Sequence, residues 1–187
     1  MSLRIWIIAA IVLAGCQAAQ VEHPVTQSAG GTDADSQLEF WSELETQHIT
    51  SNDDAFHGLL LYLDGNDSAA DYAHRVAVLK SRGLLVPAFD RPANESVSRG
   101  VLAVAIAKEL GIKGGVMMRL TGGNFDRYAL RELVYRKLYP AGSENQTFSG
   151  AEYVGIIGKI DDYQHGDAAN VPATVLPSEM QAAGKQP

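Results

Sequence analysis

The sequence predicts a mainly α-helical domain in which about three helix-loop-helix repeats pack around one core, between a flexible N-terminal tether and a C-terminal tail. Three observations predict this fold class. Apolar residues recur at helical spacing through most of segment 36–163, and Ser or Thr residues stand where those helices would begin. A unit of about 50 residues also recurs along the chain. Of the 187 residues, 46% are hydrophobic, which suits one compact domain with a real core.

The first fifteen residues have the organisation of a secretory signal peptide. Met1–Arg4 is short and positively charged, and Ile5–Ala14 is an apolar run. A transmembrane helix needs about 20 apolar residues, so a run of this length is typical of a cleaved signal. The run ends in Leu13-Ala14-Gly15-Cys16, which resembles the lipobox of bacterial lipoproteins. The resemblance implies cleavage after Gly15 and a lipid anchor on Cys16.

A lipid anchor of this kind would hold the chain at a membrane, because two or three acyl chains bind stably whereas a single one is marginal. The alternative is ordinary cleavage near Ala18-Ala19, which would discard Cys16. Gln17 stands where some lipoproteins carry an aspartate that retains them in the inner membrane. The resemblance therefore implies a cell-envelope location facing the periplasm or the cell exterior, with the outer membrane favoured if the cell has one.

Residues 16–35 are polar, rich in small residues and aperiodic, so the sequence predicts a flexible lipidated tether. The helical repeat domain is expected over residues 36–163. Residues 164–187 contain three prolines and little apolar periodicity, and we expect a mostly disordered tail there.

Start and stop signals predict six helices in the repeat domain. Four of them follow capping boxes, in which a Ser or Thr caps the helix and an acidic residue stands three positions later: Ser36–Glu39, Thr50–Asp53, Ser68–Asp71 and Ser149–Glu152. The expected helices are one carrying Leu38, Trp41 and Leu44, then Ala55–Leu63, one between Ser68 and Gly83, Gly100–Leu110, Asp126–Leu138, and one from Ser149 to about Ile160. The glycine-rich segment Gly111–Phe125 is expected to contain a short extended stretch or a buried loop.

The internal repeat is clearest between Ala93–Lys108 and Glu144–Lys159, which align without a gap at an offset of 51. The matched residues are Asn94 with Asn145, Ser96 with Thr147, Val97 with Phe148, Ser98 with Ser149, Ile106 with Ile157 and Lys108 with Lys159. The preceding helices agree as well, with Tyr72-Ala73-x-Arg75 against Tyr128-Ala129-x-Arg131. A fainter third copy begins at Ile49-Thr50, 48 residues before Val97-Ser98.

Each copy places an apolar residue and a Ser or Thr cap before its second helix. The middle copy has Phe89-x-x-Pro92 and then Val97-Ser98-Arg99-Gly100, and the last has Phe148-Ser149-Gly150-Ala151-Glu152. These motifs resemble the S-layer homology module, whose core is Thr-Arg-Ala-Glu after an Ile or Val. The middle copy keeps the arginine but has Val101 for the glutamate, and the last keeps the glutamate but has Gly150 for the arginine. The first copy, Thr50-Ser51-Asn52-Asp53, lacks the arginine.

S-layer homology modules commonly occur as three repeats and attach exported bacterial proteins to the cell envelope. The resemblance implies that the domain binds cell-wall polysaccharide, peptidoglycan or another envelope component. In the family the arginine is associated with anionic wall polysaccharide, which makes Arg99, Ser98, Ser149 and Glu152 candidate ligand-binding residues. The alternative is structural, since Ser-x-x-Glu caps a helix wherever it occurs and an arginine at a helix start can simply be solvated.

Other classes of function find little support in the sequence. The net charge of -7, without a Lys/Arg cluster, argues against a nucleic-acid partner. The histidines are not spaced as metal ligands, and no nucleotide-binding or nucleophile motif is present. We therefore predict a non-enzymatic protein without cofactor, catalytic or metal-binding residues. His57 and His74 are expected to be surface or satisfied core residues, and the pair Asp53-Asp54 to be solvated. The alternative function is a structural or assembly lipoprotein that binds a protein partner through its helical repeats.

Overall fold

The computed structural model describes residues 18–114 and 124–169. The signal peptide, the lipobox with Cys16, part of the glycine-rich segment and residues 170–187 lie outside this range. Within it the chain is mainly helical, as predicted, and has no strand longer than an isolated bridge. The helices are α1 (Thr26–Ala29), α2 (Ala34–Thr46), α3 (Asn52–Asp64), α4 (Tyr72–Ser81), α5 (Arg99–Glu109), α6 (Asp126–Tyr135) and α7 (Gly150–Ala169).

Two of the predicted helix starts are confirmed. Ser98 caps α5 by accepting a hydrogen bond from the Val101 N–H. At α7 the capping box is complete, because the Glu152 N–H donates to Ser149 Oγ (3.2 Å) while the Ser149 N–H donates to Glu152 Oε2 (3.1 Å). Short polar side chains thus satisfy amide groups that have no partner inside their own helix.

Three other helix starts were predicted at the wrong residue. Asp33 rather than Ser36 caps α2, and Asp71 rather than Ser68 caps α4. Asp and Ser are equally good caps, so in a segment that is rich in both, packing decides which residue caps the helix. At α3 the cap is Ser51, one residue after the predicted Thr50.

Burial explains the shift at α3. Thr50 is fully buried and takes the place that Val97 and Phe148 occupy before the caps of α5 and α7. Ser51 is therefore the counterpart of Ser98 and precedes it by 47 residues rather than 48. In this register Asp54 stands three residues after the cap, and its carboxylate accepts a hydrogen bond from Ser51 Oγ at 2.7 Å.

The prediction of a flexible tether is wrong for the residues from 18 onward. The Ser96 N–H donates to the Ala19 carbonyl and the Val21 N–H to the Asn94 carbonyl, both at 2.8 Å. Val25 and Ala29, four residues apart, are buried in the core. The segment has too few apolar residues for a periodic pattern, yet these two are enough to fix it. The folded domain therefore includes residues from 18 onward, and not only those from 36.

Two C-terminal boundaries also differ from the prediction. Helix α7 continues past Ile160 to Ala169, so residues 164–169 are helical and do not belong to a tail. Helix α6 ends at Tyr135, three residues before the predicted Leu138, and Lys137 then adopts a positive φ of 63°. Gly83 confirms its predicted role as a stop signal, with a φ of +71° that suits glycine after a helix.

The helices form three copies of the repeat: copy 1 is α2 and α3, copy 2 is α4 and α5, and copy 3 is α6 and α7. Within the described residues the second helix of each copy packs against the first helix of the next, α3 on α4, α5 on α6 and α7 on α2. Their shared core includes the buried side chains of Phe40, Leu44, Phe56, Leu79, Leu102, Ile106, Leu133, Tyr153 and Ile156. Helical repeats around one core are thus present, and the third copy closes back onto the first.

The loops before α3, α5 and α7 meet at one end of these helices and form a cap ring, comprising residues 47–51, 94–98 and 145–149. The first N–H of each helix donates to the loop of the next copy. These bonds are Asn52 N to Glu95 O (2.8 Å), Arg99 N to Gln146 O (2.7 Å) and Gly150 N to Gln47 O (2.9 Å). Because such N–H groups lack an intrahelical acceptor, the cap ring pairs them and joins the copies.

Candidate functional site

Arg99 occupies the first position of α5 and points across the junction between copies 2 and 3. Its side chain is only 8% exposed, so the interpretation of Arg99 as a solvated helix-start residue is wrong. Its Nη2 lies 2.7 Å from Glu152 Oε1, its Nε donates to the Thr147 carbonyl at 3.2 Å, and its guanidinium lies over the Phe148 ring. Arg99 therefore holds copy 3 against copy 2, and its guanidinium group already has partners within the protein.

Glu152 is the more accessible member of this ion pair, with 43% of its side chain exposed. Partial burial raises the pKa of Glu152, but hydrogen bonds from the Ser149 N–H and the Arg99 guanidinium outweigh it and hold that pKa below its usual value. The structure thus brings Arg99, Ser149 and Glu152 together. Ser98, the fourth candidate residue, is buried and accepts from its own helix.

The first helical position differs among the three copies, and the structure shows why. In copy 1 it is Asn52, whose Nδ2 donates to the Pro92 carbonyl at 2.9 Å. In copy 3 it is Gly150, where an added Cβ would lie 1.5 Å from the Leu44 carbonyl oxygen. An arginine therefore has no room at this position of copy 3. The departure of copy 3 from the Thr-Arg-Ala-Glu pattern follows from the close contact with the end of α2.

Beside Arg99 lies an open groove of about 430 Å³ that we call the arginine groove. It is lined by Arg127, Leu130 and Arg131 of α6 and by Gly142, Ser143 and Glu144 of the following loop. A Cβ added at Gly142 would lie 3.3 Å from Arg99 Nη1, so the groove adjoins the Arg99–Glu152 pair.

The charge in this groove comes from two guanidinium groups on one face of α6. Arg127 and Arg131 are four residues apart and both exposed. No carboxylate of the described segments lies within 4 Å of either guanidinium, although Glu144 shares the groove. Sequence reasoning missed both residues as site residues. Their spacing, and the alignment of Arg131 with Arg75, were the available signals.

The corresponding arginine in copy 2, Arg75, has a different environment. It is buried, with Nε 2.5 Å from Asp67 Oδ2 and Nη1 2.6 Å from Asp53 Oδ1. The Asp53 carboxylate also accepts a hydrogen bond from Thr26 Oγ1 at 2.7 Å, and Asp54 accepts one from the Thr26 N–H at 2.9 Å. The pair Asp53-Asp54 was expected to be solvated, and this expectation is wrong. Both carboxylates hold the N-terminal segment against α3.

This buried cluster extends to His57, a fully buried histidine whose Nδ1 lies 2.6 Å from Asp67 Oδ2. Burial raises the pKa of Asp67, but the hydrogen bonds from His57 and Arg75 outweigh it and lower that pKa. Burial also raises the pKa of Asp54, here as the dominant influence. Over the described residues, no group of three or more His, Cys, Asp or Glu side chains is placed to hold a metal ion.

A second groove, of about 480 Å³, lies between α2, α3 and α7 and is mainly apolar. It is lined by Gln37, Trp41, Leu61, Tyr62, Val154, Ile157, Gly158 and Asp161, and we call it the apolar groove. Next to it in sequence, Leu38 on α2 is 72% exposed. Such a surface is a candidate for contact with another protein.

No family model, curated protein or solved structure matches this chain. The helices in the described part of the chain include none with the length and hydropathy required to cross a bilayer.

Proposed function

We propose that this protein is a lipid-anchored component of the bacterial cell envelope whose three-copy domain binds an acidic cell-wall polymer in the arginine groove. The lipobox ending in Cys16 and the motifs that resemble the S-layer homology module support attachment to the envelope. The single observation that carries the binding proposal is the pair Arg127 and Arg131, exposed side by side in a groove without a described carboxylate partner.

The chemistry of the groove favours a carboxylate or phosphate group on the ligand. A guanidinium presents a planar set of donors that can hold such groups with two parallel hydrogen bonds. The chain as a whole carries a net charge of -7, so a polyanion is not attracted by the overall field. Binding must depend on the local pair of arginines. Arg99 contributes indirectly by holding the loop that forms one wall of the groove.

Cosedimentation with purified sacculi tests the binding proposal. The lipidated full-length protein, solubilised in detergent, should pellet with sacculi, and the double variant Arg127→Gln/Arg131→Gln should remain mostly in the supernatant. Lys80→Gln/Arg82→Gln at the C-terminal end of α4 removes the same charge elsewhere and should pellet as the unchanged protein does. Equal pelleting of both double variants would refute the assignment to the arginine groove.

The anchor has its own test. Replacing Cys16 with Ser should abolish incorporation of labelled palmitate and retention in the membrane fraction. A native protein that is found unmodified at Cys16, or that begins beyond it, would rule out the lipid anchor.

A second candidate function is an assembly lipoprotein that binds a protein partner, and the apolar groove favours it. Trp41, Ile157 and Val154 offer apolar surface between helices, which suits an apolar helix or strand of a partner. A photo-crosslinking residue at Gln37 should then capture one stoichiometric envelope protein. The same residue at Lys80, away from the groove, should not.

A further inference from the structure

The N-terminal segment Ala18–Ala29, which we call the strap, is bound to the cap ring from its first residues. The Ala19 carbonyl accepts from the Ser96 N–H, the Val21 N–H donates to the Asn94 carbonyl, and Gln20 and Glu95 pair in an antiparallel bridge. Further along, Thr26 binds the carboxylates of Asp53 and Asp54. The strap is thus fixed to copies 1 and 2 from Ala19 onward.

The position of the strap limits how far the domain can lie from Cys16. Only Gln17 and Ala18 separate Cys16 from Ala19. An extended chain spans at most about 3.6 Å per residue, so the Cα atoms of Cys16 and Ala19 lie within about 11 Å along any path. A flexible tether of twenty residues would instead give a typical reach of roughly 25 Å.

We infer that the loop beside the strap, Asp90–Ser96, whose last three residues belong to the cap ring, rests against the phospholipid headgroups of the bilayer in which Cys16 is anchored. This inference rests on the lipid anchor proposed above. The headgroup layer adds roughly 5–8 Å to each side of the hydrocarbon core, so about 11 Å of chain brings Ala19 only to its outer edge. The cap ring is the membrane-facing end of the domain.

The opposite end of the domain faces away from the bilayer. Helix α3 begins at the cap ring, where the Asn52 N–H bonds to Glu95, and ends at Asp64. A helix of this length places Gly65 and Asn66 about 20 Å from the cap ring.

Chain length, and not charge, holds this face at the membrane. The charged groups in and beside the loop include Glu22, Asp90, Arg91 and Glu95, with Asp53 and Asp126 nearby, and Arg91 pairs with Glu95 at 2.8 Å. The face carries a net negative charge and would gain nothing from anionic lipids. The contact should therefore not be strengthened by anionic lipid in the vesicle and not be weakened by added salt.

Site-specific fluorescence quenching tests this inference on the full-length lipidated protein. Cys16 is the only cysteine and its thiol is consumed by the anchor, so a cysteine introduced at Asn94 or Asn66 can be labelled alone. Asn94 bonds to the strap through its carbonyl, and Asn66 is exposed. In phosphatidylcholine vesicles that contain headgroup spin-labelled lipid, the label at position 94 should lose most of its fluorescence and the label at position 66 little.

A linker insertion is the matched control. Twenty Gly and Ser residues between Gln17 and Ala18 should remove the difference between the two positions while the protein still floats with the vesicles. Equal quenching at both positions without the linker would overturn the inference. A protein that does not float with the vesicles in any form would instead refute the lipid anchor, so the two failures are distinguishable.

Discussion

An arginine stands at the same position of the repeat in two junctions, between copies 1 and 2 and between copies 2 and 3. We call the first junction closed, because its arginine is buried, and the second open, because its arginine is exposed. Arg75 is buried between Asp53 and Asp67, whereas Arg131 is exposed in the arginine groove. The α5 residue that corresponds to Asp53 is Gly100, which has no side chain to offer a partner. The same residue type thus joins two copies in one junction and is exposed in the other.

The strap accounts for the second difference between the junctions. Thr26 completes the hydrogen bonding of Asp53 and Asp54, which would otherwise be partly unsatisfied. Among the described residues, 18–114 and 124–169, the strap packs only on copies 1 and 2. The three copies are therefore asymmetric at their junctions, and among the described residues a groove remains at the junction that the strap does not reach.

The largest expected effect comes from removing the arginine of the closed junction. Arg75→Ala leaves Asp53 and Asp67 buried without their cation, and the loss of one partner from a buried ion pair costs about 3–5 kcal/mol. Arg131→Ala should change the free energy of unfolding by no more than about 0.5 kcal/mol, as for most surface substitutions. Urea unfolding followed by Trp41 fluorescence measures both. Equal losses in the two variants would show that the junctions do not differ as described.

A substitution at the third junction, between copies 3 and 1, should have the next largest effect. In Gly150→Ala the new methyl group would collide with the Leu44 carbonyl, and overpacking of this kind costs about 1–3 kcal/mol. Gly158→Ala is the control, because the space around its Cβ position is open and alanine favours a helix over glycine by about 1 kcal/mol. Thermal unfolding should show a lower midpoint for the first variant and an unchanged or higher one for the second.

A smaller effect is expected from weakening the strap. Thr26→Val keeps the shape of the side chain but removes the hydrogen bond to Asp53, at a cost of about 1 kcal/mol. Thr46→Val removes a hydrogen bond at an exposed position and should cost less. If both variants unfold at the same urea concentration as the unchanged protein, the strap does not stabilise the closed junction.

These contrasts also show what the sequence could predict. The helical class, the repeat and the caps at Ser98 and Ser149 follow from local patterns, because apolar spacing and short polar caps act within a few residues. The burial of Asp53 and Asp54 does not, since it depends on Thr26 and Arg75, which are 27 and 22 residues away from Asp53 along the chain. Local patterns do not predict the ion pair between Arg99 and Glu152 either, because these residues are 53 positions apart.

The strap is the clearest failure of pattern-based prediction. Its composition is that of a linker, and only Val25 and Ala29 enter the core. Its hydrogen bonds to the cap ring are formed by backbone groups. Because every residue has a backbone, no pattern of side chains predicts these bonds. The arginine groove was overlooked because two arginines one helical turn apart are ordinary on a helix surface. Only the comparison with the buried, ion-paired Arg75 in the folded structure distinguishes them from other surface arginines.

The smallest expected effect concerns the ion pair at the open junction. Because the folded state lowers the pKa of Glu152 below 4.5, the pair stabilises the protein above that pH, and this contribution is lost as the pH falls through the lowered value. Glu152→Gln keeps an acceptor for the Ser149 N–H, so it removes the charge while preserving the cap. With 43% of the side chain exposed, we expect a loss below about 1 kcal/mol at pH 7.

The difference between the Glu152→Gln variant and the unchanged protein should shrink as urea unfolding is repeated from pH 4.5 down through the lowered pKa of the folded state, because Glu152 is protonated in both folded and unfolded chains only below that lowered pKa. Asp67→Asn in the closed junction provides the comparison. Its carboxylate is fully buried between His57 and Arg75, so the loss at neutral pH should be larger and should shrink only below pH 3.8. A pH-independent difference for Glu152→Gln would mean that Arg99 holds copy 3 through its contacts with Thr147 and Phe148 and not through charge.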